Sequence, residues 1–152
     1  MSRQGMAVSL NCRFTAKPAP DPEWEHPLGA ALARLLERNL AVVGWRTGEF
    51  DNWRDCGWSV VCWKKECELE VIVCPLPDED VWVLQVTPRR VAGAIARLFG
   101  RRSSATPADV LALAKDAHRA LKESQQLEGP RWCWDAAPGS QDSTDEPEQK
   151  RA

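Results

Sequence analysis

The sequence predicts an α+β domain in which helices pack on one face of a three-stranded antiparallel sheet. Three segments rich in β-branched and aromatic residues, 58–63, 67–74 and 81–87, are separated by short turns. Such short connections join antiparallel strands and cannot cross over between parallel ones. Segments with the periodicity of helices lie before and after these strands. The sequence therefore predicts a meander with the element order α-β-β-β-α-α.

The period of two in these strands gives the sheet one uniformly apolar face. That face collects nine residues, Trp58, Val60, Cys62, Leu69, Val71, Val73, Trp82, Leu84 and Val86. The opposite face is mixed and is typical of a surface in contact with water. A register slip of one residue would bury Glu68 and Glu70, so the pattern predicts one register.

Three helices are expected to complete the domain. The first begins at Pro27 and carries an apolar stripe to Leu40, and the second runs from Pro88 to Phe99. The third follows Thr106, whose side chain can accept from the amide of Asp109 in a capping box. Residues 7–14 and 131–135 alternate in polarity and can add one or two strands at the sheet edges, which would make four or five.

Composition divides the chain into three parts. Residues 1–27 form a leader with a candidate edge strand and a Pro-rich linker, because Pro18, Pro20 and Pro22 lack backbone donors. Residues 28–135 form a single domain. Residues 136–152 are too polar to pack and carry four acidic residues, which predicts a disordered tail.

Charge and hydropathy argue against several classes of function. The formal net charge is -2, which favours neither nucleic acid nor an anionic membrane surface. No apolar run reaches the roughly 18 residues of a membrane span, and the amino terminus lacks the apolar stretch of an export signal. We therefore expect a cytoplasmic protein whose six cysteines are reduced.

Cysteine and histidine spacing predicts no cofactor, metal site or catalytic centre. No two cysteines in the cluster from Cys56 to Cys74 have the gap of a zinc knuckle, and no catalytic motif surrounds a Cys or Ser. Cys62 and Cys67 flank a predicted four-residue hairpin loop, where the spacing allows them to sit opposite each other and form a disulfide on oxidation. His118 borders an apolar stripe and is expected to be a hydrogen-bonded structural residue.

Two surfaces are not needed to explain folding and are the candidate binding residues. The first is apolar and lies on the mixed sheet face, unless residues 7–14 or 131–134 cover it; it comprises Val61, Trp63, Ile72 and Val83. The second is a basic patch with five arginines and no acid, Arg89, Arg90, Arg97, Arg101 and Arg102.

The order helix, three-stranded meander, helix over roughly residues 28–99 is similar to that of immunity proteins of toxin systems and of one class of bacterial secretion chaperones. The likeness is architectural and assigns no site residue. It implies a module without enzyme activity that binds another protein, such as a toxin or a secreted effector. The alternatives are a small-ligand or nucleotide and phosphate module that uses the arginine patch, and a small enzyme without a recognisable motif.

Overall fold

The computed structural model describes residues 8–65, 67–77, 80–89, 105–135 and 142–150. These residues form seven strands and two helices. The strands are β1 (Leu10–Thr15), β2 (Arg46–Thr47), β3 (Asp51–Trp53), β4 (Gly57–Lys64), β5 (Cys67–Pro75), β6 (Val81–Pro88) and β7 (Glu128–Trp134). The helices are α1 (Ala30–Val42) and α2 (Pro107–Glu123). In this part of the chain, neither helix has the length and apolar character needed to cross a membrane.

All seven strands belong to one antiparallel sheet, in the order β2-β4-β5-β6-β1-β7, with β3 beside β2 on the same edge of β4. The predicted sheet of three to five strands and the order α-β-β-β-α-α are therefore wrong. The three predicted strands exist as β4, β5 and β6, but they form the middle of a larger sheet. The strands β2 and β3 have only two and three residues, too few to show a period.

The predicted helix boundaries also need correction. The structure begins α1 at Ala30, because Gly29 adopts a left-handed conformation with φ of 105° and interrupts the helix predicted from Pro27. Pro88 ends β6, and the second helix predicted beyond it lies outside the described residues except for Pro88 and Arg89. The capping box at Thr106 and Asp109 is confirmed, with the Asp109 amide donating to Thr106 Oγ1 over 3.3 Å.

The core lies between the two helices and the apolar face of the sheet. All nine residues predicted on that face are buried, which confirms the register. Residues from other elements join them, namely Leu10, Cys12 and Phe14 of β1, Trp132 of β7, Leu32, Leu36 and Leu40 of α1, and Val110, Leu113 and Leu121 of α2. The residue alternation thus places the helices on one side of the sheet only.

Each of three buried tryptophans donates its ring N–H to a different segment. Trp58 Nε1 donates to the Pro27 carbonyl over 2.8 Å, and Trp82 Nε1 donates to the Ala16 carbonyl over 3.1 Å. Trp132 Nε1 donates to His118 Nδ1 over 3.0 Å. These bonds satisfy donors that would be costly to bury alone, and they attach the leader and α2 to the sheet.

Residues 142–150, assigned by composition to a disordered tail, lie along the outer edge of β7. Trp132 and Thr144 exchange two backbone hydrogen bonds of 2.7 and 2.9 Å. The Arg131 guanidinium donates to the Ser143 carbonyl over 2.6 Å, and Trp134 Nε1 donates to the Glu148 carbonyl over 2.7 Å. Because pairing with a strand edge uses backbone groups, a polar segment can dock there without burying much apolar surface.

Trp82→Ala should lower the free energy of unfolding by about 3–5 kcal/mol, because it removes a side chain that is only 5% exposed and leaves a cavity beside Gly29, which precedes α1. Urea denaturation of the purified variant measures the change. Val42→Ala, at a site that is 81% exposed, should stay within about 0.5 kcal/mol of wild type. Equal stability of Trp82→Ala and wild type would contradict the described core.

Truncation after Asp135 should lower the free energy of unfolding by about 1–3 kcal/mol, because it removes the backbone and side-chain hydrogen bonds along β7. Thr144→Pro deletes the Thr144 amide that donates to the Trp132 carbonyl and the hydroxyl that donates to the Glu146 carbonyl, and should cause a part of that loss. Urea denaturation measures the free energy of unfolding of both variants. If the truncated protein unfolds at the wild-type denaturant concentration, the tail does not stabilise the fold.

Candidate protein-binding face

The second face of the sheet, here called the open face, points away from both helices. Its residues alternate with the core residues along each strand and include Asn11, Arg13, Ser59, Val61, Trp63, Glu68, Glu70, Ile72, Cys74, Val83, Gln85, Thr87 and Cys133. The strands β1 and β7 extend the sheet sideways and do not fold over this face. Within the described part of the chain, no helix or strand lies across it.

The strand register brings the four apolar candidate residues onto this one face. Trp63 lies opposite Glu68 and Val61 opposite Glu70, while Ile72 lies between Ser59 and Gln85. Val83 lies between Cys74 and Arg13. Their shared face is established by the pairing, and their role in binding stays a prediction. Ile72 is only 6% exposed.

Trp63 is held in place by the short edge strand beside it. The guanidinium of Arg46, its pairing partner in β2, lies 5.6 Å from the centre of the Trp63 ring. Gly48 approaches the same ring so closely that a Cβ there would lie 3.2 Å from it. Trp63 is therefore half-buried and oriented before any partner arrives.

A depression of about 550 Å³ lies on the open face between the β3–β4 turn and β6. Its floor is apolar and includes Ile72, Val83, Leu76 and the ring of Trp53. The polar end is formed by Ser9, Asn11, Gln85 and Asp135, and the thiols of Cys56 and Cys74 lie at the side of the turn. The depression is thus an apolar recess with hydrogen-bonding groups at one end.

Sequence reasoning missed Trp53 as a binding residue. It lies opposite Gly57, at the end of β3, and the guanidinium of Arg54 lies 4.9 Å from its ring centre. A three-residue strand shows no clear period, so only the Trp-Arg dipeptide followed by a tight turn could have pointed to it. The structure shows that Trp53 and Trp63 lie on one face at opposite ends of β4.

The arginine patch is only partly described. The Arg89 guanidinium donates to Glu68 Oε1 over 2.9 Å in an ion pair at the edge of the open face. Arg90, Arg97, Arg101 and Arg102 lie outside the described residues. Arg46 and Arg54 are the better placed cations, since each stacks on a Trp ring and neither forms an ion pair with another described residue.

The predicted opposition of Cys62 and Cys67 is wrong. Cys62 pairs with Leu69 and Cys67 with Lys64, because β4 extends to Lys64, one residue further than expected. Both thiols lie on the helix side of the sheet, where burial raises the pKa of Cys62 to about 12 and that of Cys67 to about 11. These two cysteines are structural.

A second cavity, of about 440 Å³, lies beside α2 and contains His118. It is lined by three basic residues, Lys115, Arg119 and Lys122, and by the acidic Glu123 and Glu146. His118 accepts the Trp132 hydrogen bond through Nδ1, and burial lowers its pKa, opposed by nearby Glu146. The mixed charge gives the cavity no preference for an anion, and His118 has the structural role that the sequence predicts.

Acidification should destabilise the protein through His118. Because folding lowers the pKa of His118, the unfolded chain binds the proton more readily than the folded chain. The stability that neutral His118 contributes is therefore complete above pH 6.5, the ordinary pKa of histidine. It is lost as the pH falls from 6.5 toward the lower pKa of His118 in the folded protein. His118→Gln should show a smaller loss of unfolding free energy between about pH 7.5 and pH 5 than wild type. Urea denaturation across this range measures the difference, and a His118→Gln variant with the wild-type pH dependence would contradict this role of His118.

Comparison with protein-family models, with curated proteins and with solved structures found no match to this chain. The assignment of the open face as a candidate site is therefore based only on the geometry of this chain.

Proposed function

We propose that this protein is a cytoplasmic binding module that receives a partner protein on the open face. The observation that carries the proposal is the apolar depression at Trp53, which lies on a sheet face that no described element covers. Tryptophan and arginine are enriched among residues that dominate binding energy, and this face presents two stacked Arg–Trp pairs.

The spacing of the two pairs favours a protein over a small ligand. Trp53 lies opposite Gly57 of β4, and Trp63 lies six residues further along the same strand. At about 3.3 Å per residue, the two tryptophans are therefore roughly 20 Å apart along the strand. A surface of this length suits an interface of about 800 Å² per partner. A nucleotide or phosphate would depend on the arginine patch, in which Arg89 is already engaged by Glu68.

The chemistry of the face indicates what the partner presents. Its apolar floor suits an apolar side chain inserted at the depression. The guanidinium groups of Arg46 and Arg54 are oriented by Trp63 and Trp53 and retain donors for carboxylates. We therefore propose a folded partner with an apolar residue flanked by acidic ones, and inhibition or escort of that partner would follow from covering its surface.

The resemblance to immunity proteins and secretion chaperones does not support this proposal. That resemblance depended on the element order helix, three strands, helix. In the structure, the first described element is β1, and the sheet has seven strands. The proposal depends instead on the open face and on its pattern of aromatic and cationic residues.

Trp63→Ala should weaken partner binding by about 30-fold, equivalent to about 2 kcal/mol, while the protein stays folded. Proteins retained from native cells by the wild type would be identified by mass spectrometry, and the affinity of each would then be measured by calorimetry. Arg46→Glu combined with Arg54→Glu should mainly slow association, because the cations attract an acidic surface.

Val42→Ala is the matched control, since Val42 is exposed at the end of α1 on the helix side of the sheet. It should retain every partner with unchanged affinity. Partners that bind Trp63→Ala as tightly as wild type but lose affinity for Val42→Ala would place the interface on the helices and refute the proposal. A wild-type homodimer that Trp63→Ala abolishes would identify a second copy as the occupant and would also refute it.

A further inference from the structure

Two cysteines meet at the side of the open-face depression. Cys56 is exposed in the turn between β3 and β4, and Cys74 is half-buried on β5. Both line the depression, and Cys56 lies close enough to Cys74 to raise the pKa of its thiol. The sequence separates them by 17 residues, which is why spacing alone did not pair them.

Gly57 makes this approach of the two thiols possible. A Cβ at this position would collide with Cys74 Sγ and with the Val73 carbonyl oxygen. Because glycine has no side chain, the Cys74 thiol occupies that space and lies beside the residue that precedes Gly57, which is Cys56. Arg54 and Asp55, with φ of 51° and 59°, turn the chain tightly into this position.

The other four cysteines are not placed for this chemistry. Cys12, Cys62 and Cys67 belong to the buried core, and burial raises the pKa of Cys12 to about 12. Cys133 is buried, and its thiol donates to the Trp134 carbonyl over 3.7 Å. Of the six thiols, all of them among the described residues, only Cys56 is exposed.

We propose that Cys56 and Cys74 are a reversible redox pair that forms an intramolecular disulfide by exchange with a small-molecule disulfide. A metal role is not supported, since zinc takes four ligands and the described residues contain no group of three metal-ligating side chains. The two thiols are the reductant, and the small disulfide is the oxidant.

The exchange proceeds in two steps. The Cys56 thiolate attacks one sulfur of the small disulfide, whose S–S bond breaks and releases one thiolate, which takes up the proton that Cys56 lost. Cys74 then loses its proton and attacks the Cys56 sulfur, and the second small thiolate leaves and is protonated. Two protein thiols and one small disulfide thus become one protein disulfide and two small thiols, with two electrons transferred.

The surroundings assign the order of the two cysteines. Cys56 is accessible to a molecule in solution, whereas Cys74 is half-buried. Burial and the neighbouring Cys56 raise the pKa of Cys74 to about 12, so Cys74 is a weak nucleophile toward a free reagent. Its attack on the mixed disulfide is intramolecular, and proximity compensates for its small thiolate fraction.

Oxidation would also change the open face, a consequence that rests on the proposed function. The Cys56–Cys74 disulfide would draw the turn at residues 54–56 toward β5 and narrow the depression beside Trp53. We therefore expect the oxidised protein to bind the partner more weakly than the reduced protein. Disulfide formation itself does not depend on the proposed function.

The test treats the full chain with excess oxidised glutathione near neutral pH, traps free thiols by alkylation and measures the intact mass. The wild type should lose two hydrogens without a glutathione adduct, and peptide mapping should show a Cys56–Cys74 link that dithiothreitol reverses. Cys74→Ser should stop at a glutathione adduct on Cys56. Cys56→Ser should remain unmodified, and Cys133→Ser should behave as wild type.

A stable glutathione adduct on wild type, a link between other cysteines, or no reaction would each overturn the redox pair. The binding measurement is separate. If oxidised and reduced proteins bind the partner equally, the coupling to function is refuted while the redox pair stands. If Trp63→Ala does not affect binding, the proposed function fails whatever the mass measurement shows.

Discussion

The pairing of β1 on both of its sides is the interaction on which the rest of the structure depends. β1 lies between β6 and β7, so residues from both ends of the described chain become neighbours in one sheet. Among the described strands, β7 pairs with β1 alone, and residues 142–150 dock on β7 in turn. These pairings carry a cost in loop-closure entropy, which the long interface and the burial of Leu10, Cys12 and Phe14 offset.

Indole side chains connect the sheet to the segments around it. Trp58 donates to the Pro27 carbonyl and Trp82 to the Ala16 carbonyl, both between β1 and α1, and Trp132 donates to α2 through His118. A tryptophan supplies large apolar area and one directional donor, so each of these residues both fills the core and positions a neighbouring segment. The same residue type on the open face has no such donor contact among the described residues, where Trp53 and Trp63 instead support stacked guanidinium groups.

The open face owes its shape to short elements at one edge. The turn between β3 and β4 brings Trp53, Arg54 and Cys56 to the depression, and Gly57 leaves room for Cys74. β2 holds Arg46 over Trp63. Elements of two or three residues add little to stability, so their residue choice is open to functional demands that a buried strand would not tolerate.

By itself, the sequence determined the features that depend on near neighbours in the chain. Alternation specified β4, β5 and β6, their register and the nine buried residues, and the Thr106–Asp109 spacing specified the start of α2. It also placed Val61, Trp63, Ile72 and Val83 on one face. Only the tertiary structure decided the position of β1, the docking of residues 142–150, and the meeting of Trp53, Cys56 and Cys74. Those contacts join residues that are distant in the chain. A backbone edge accepts any strand that reaches it, so alternation can predict that a segment is a strand but not which strand it pairs with.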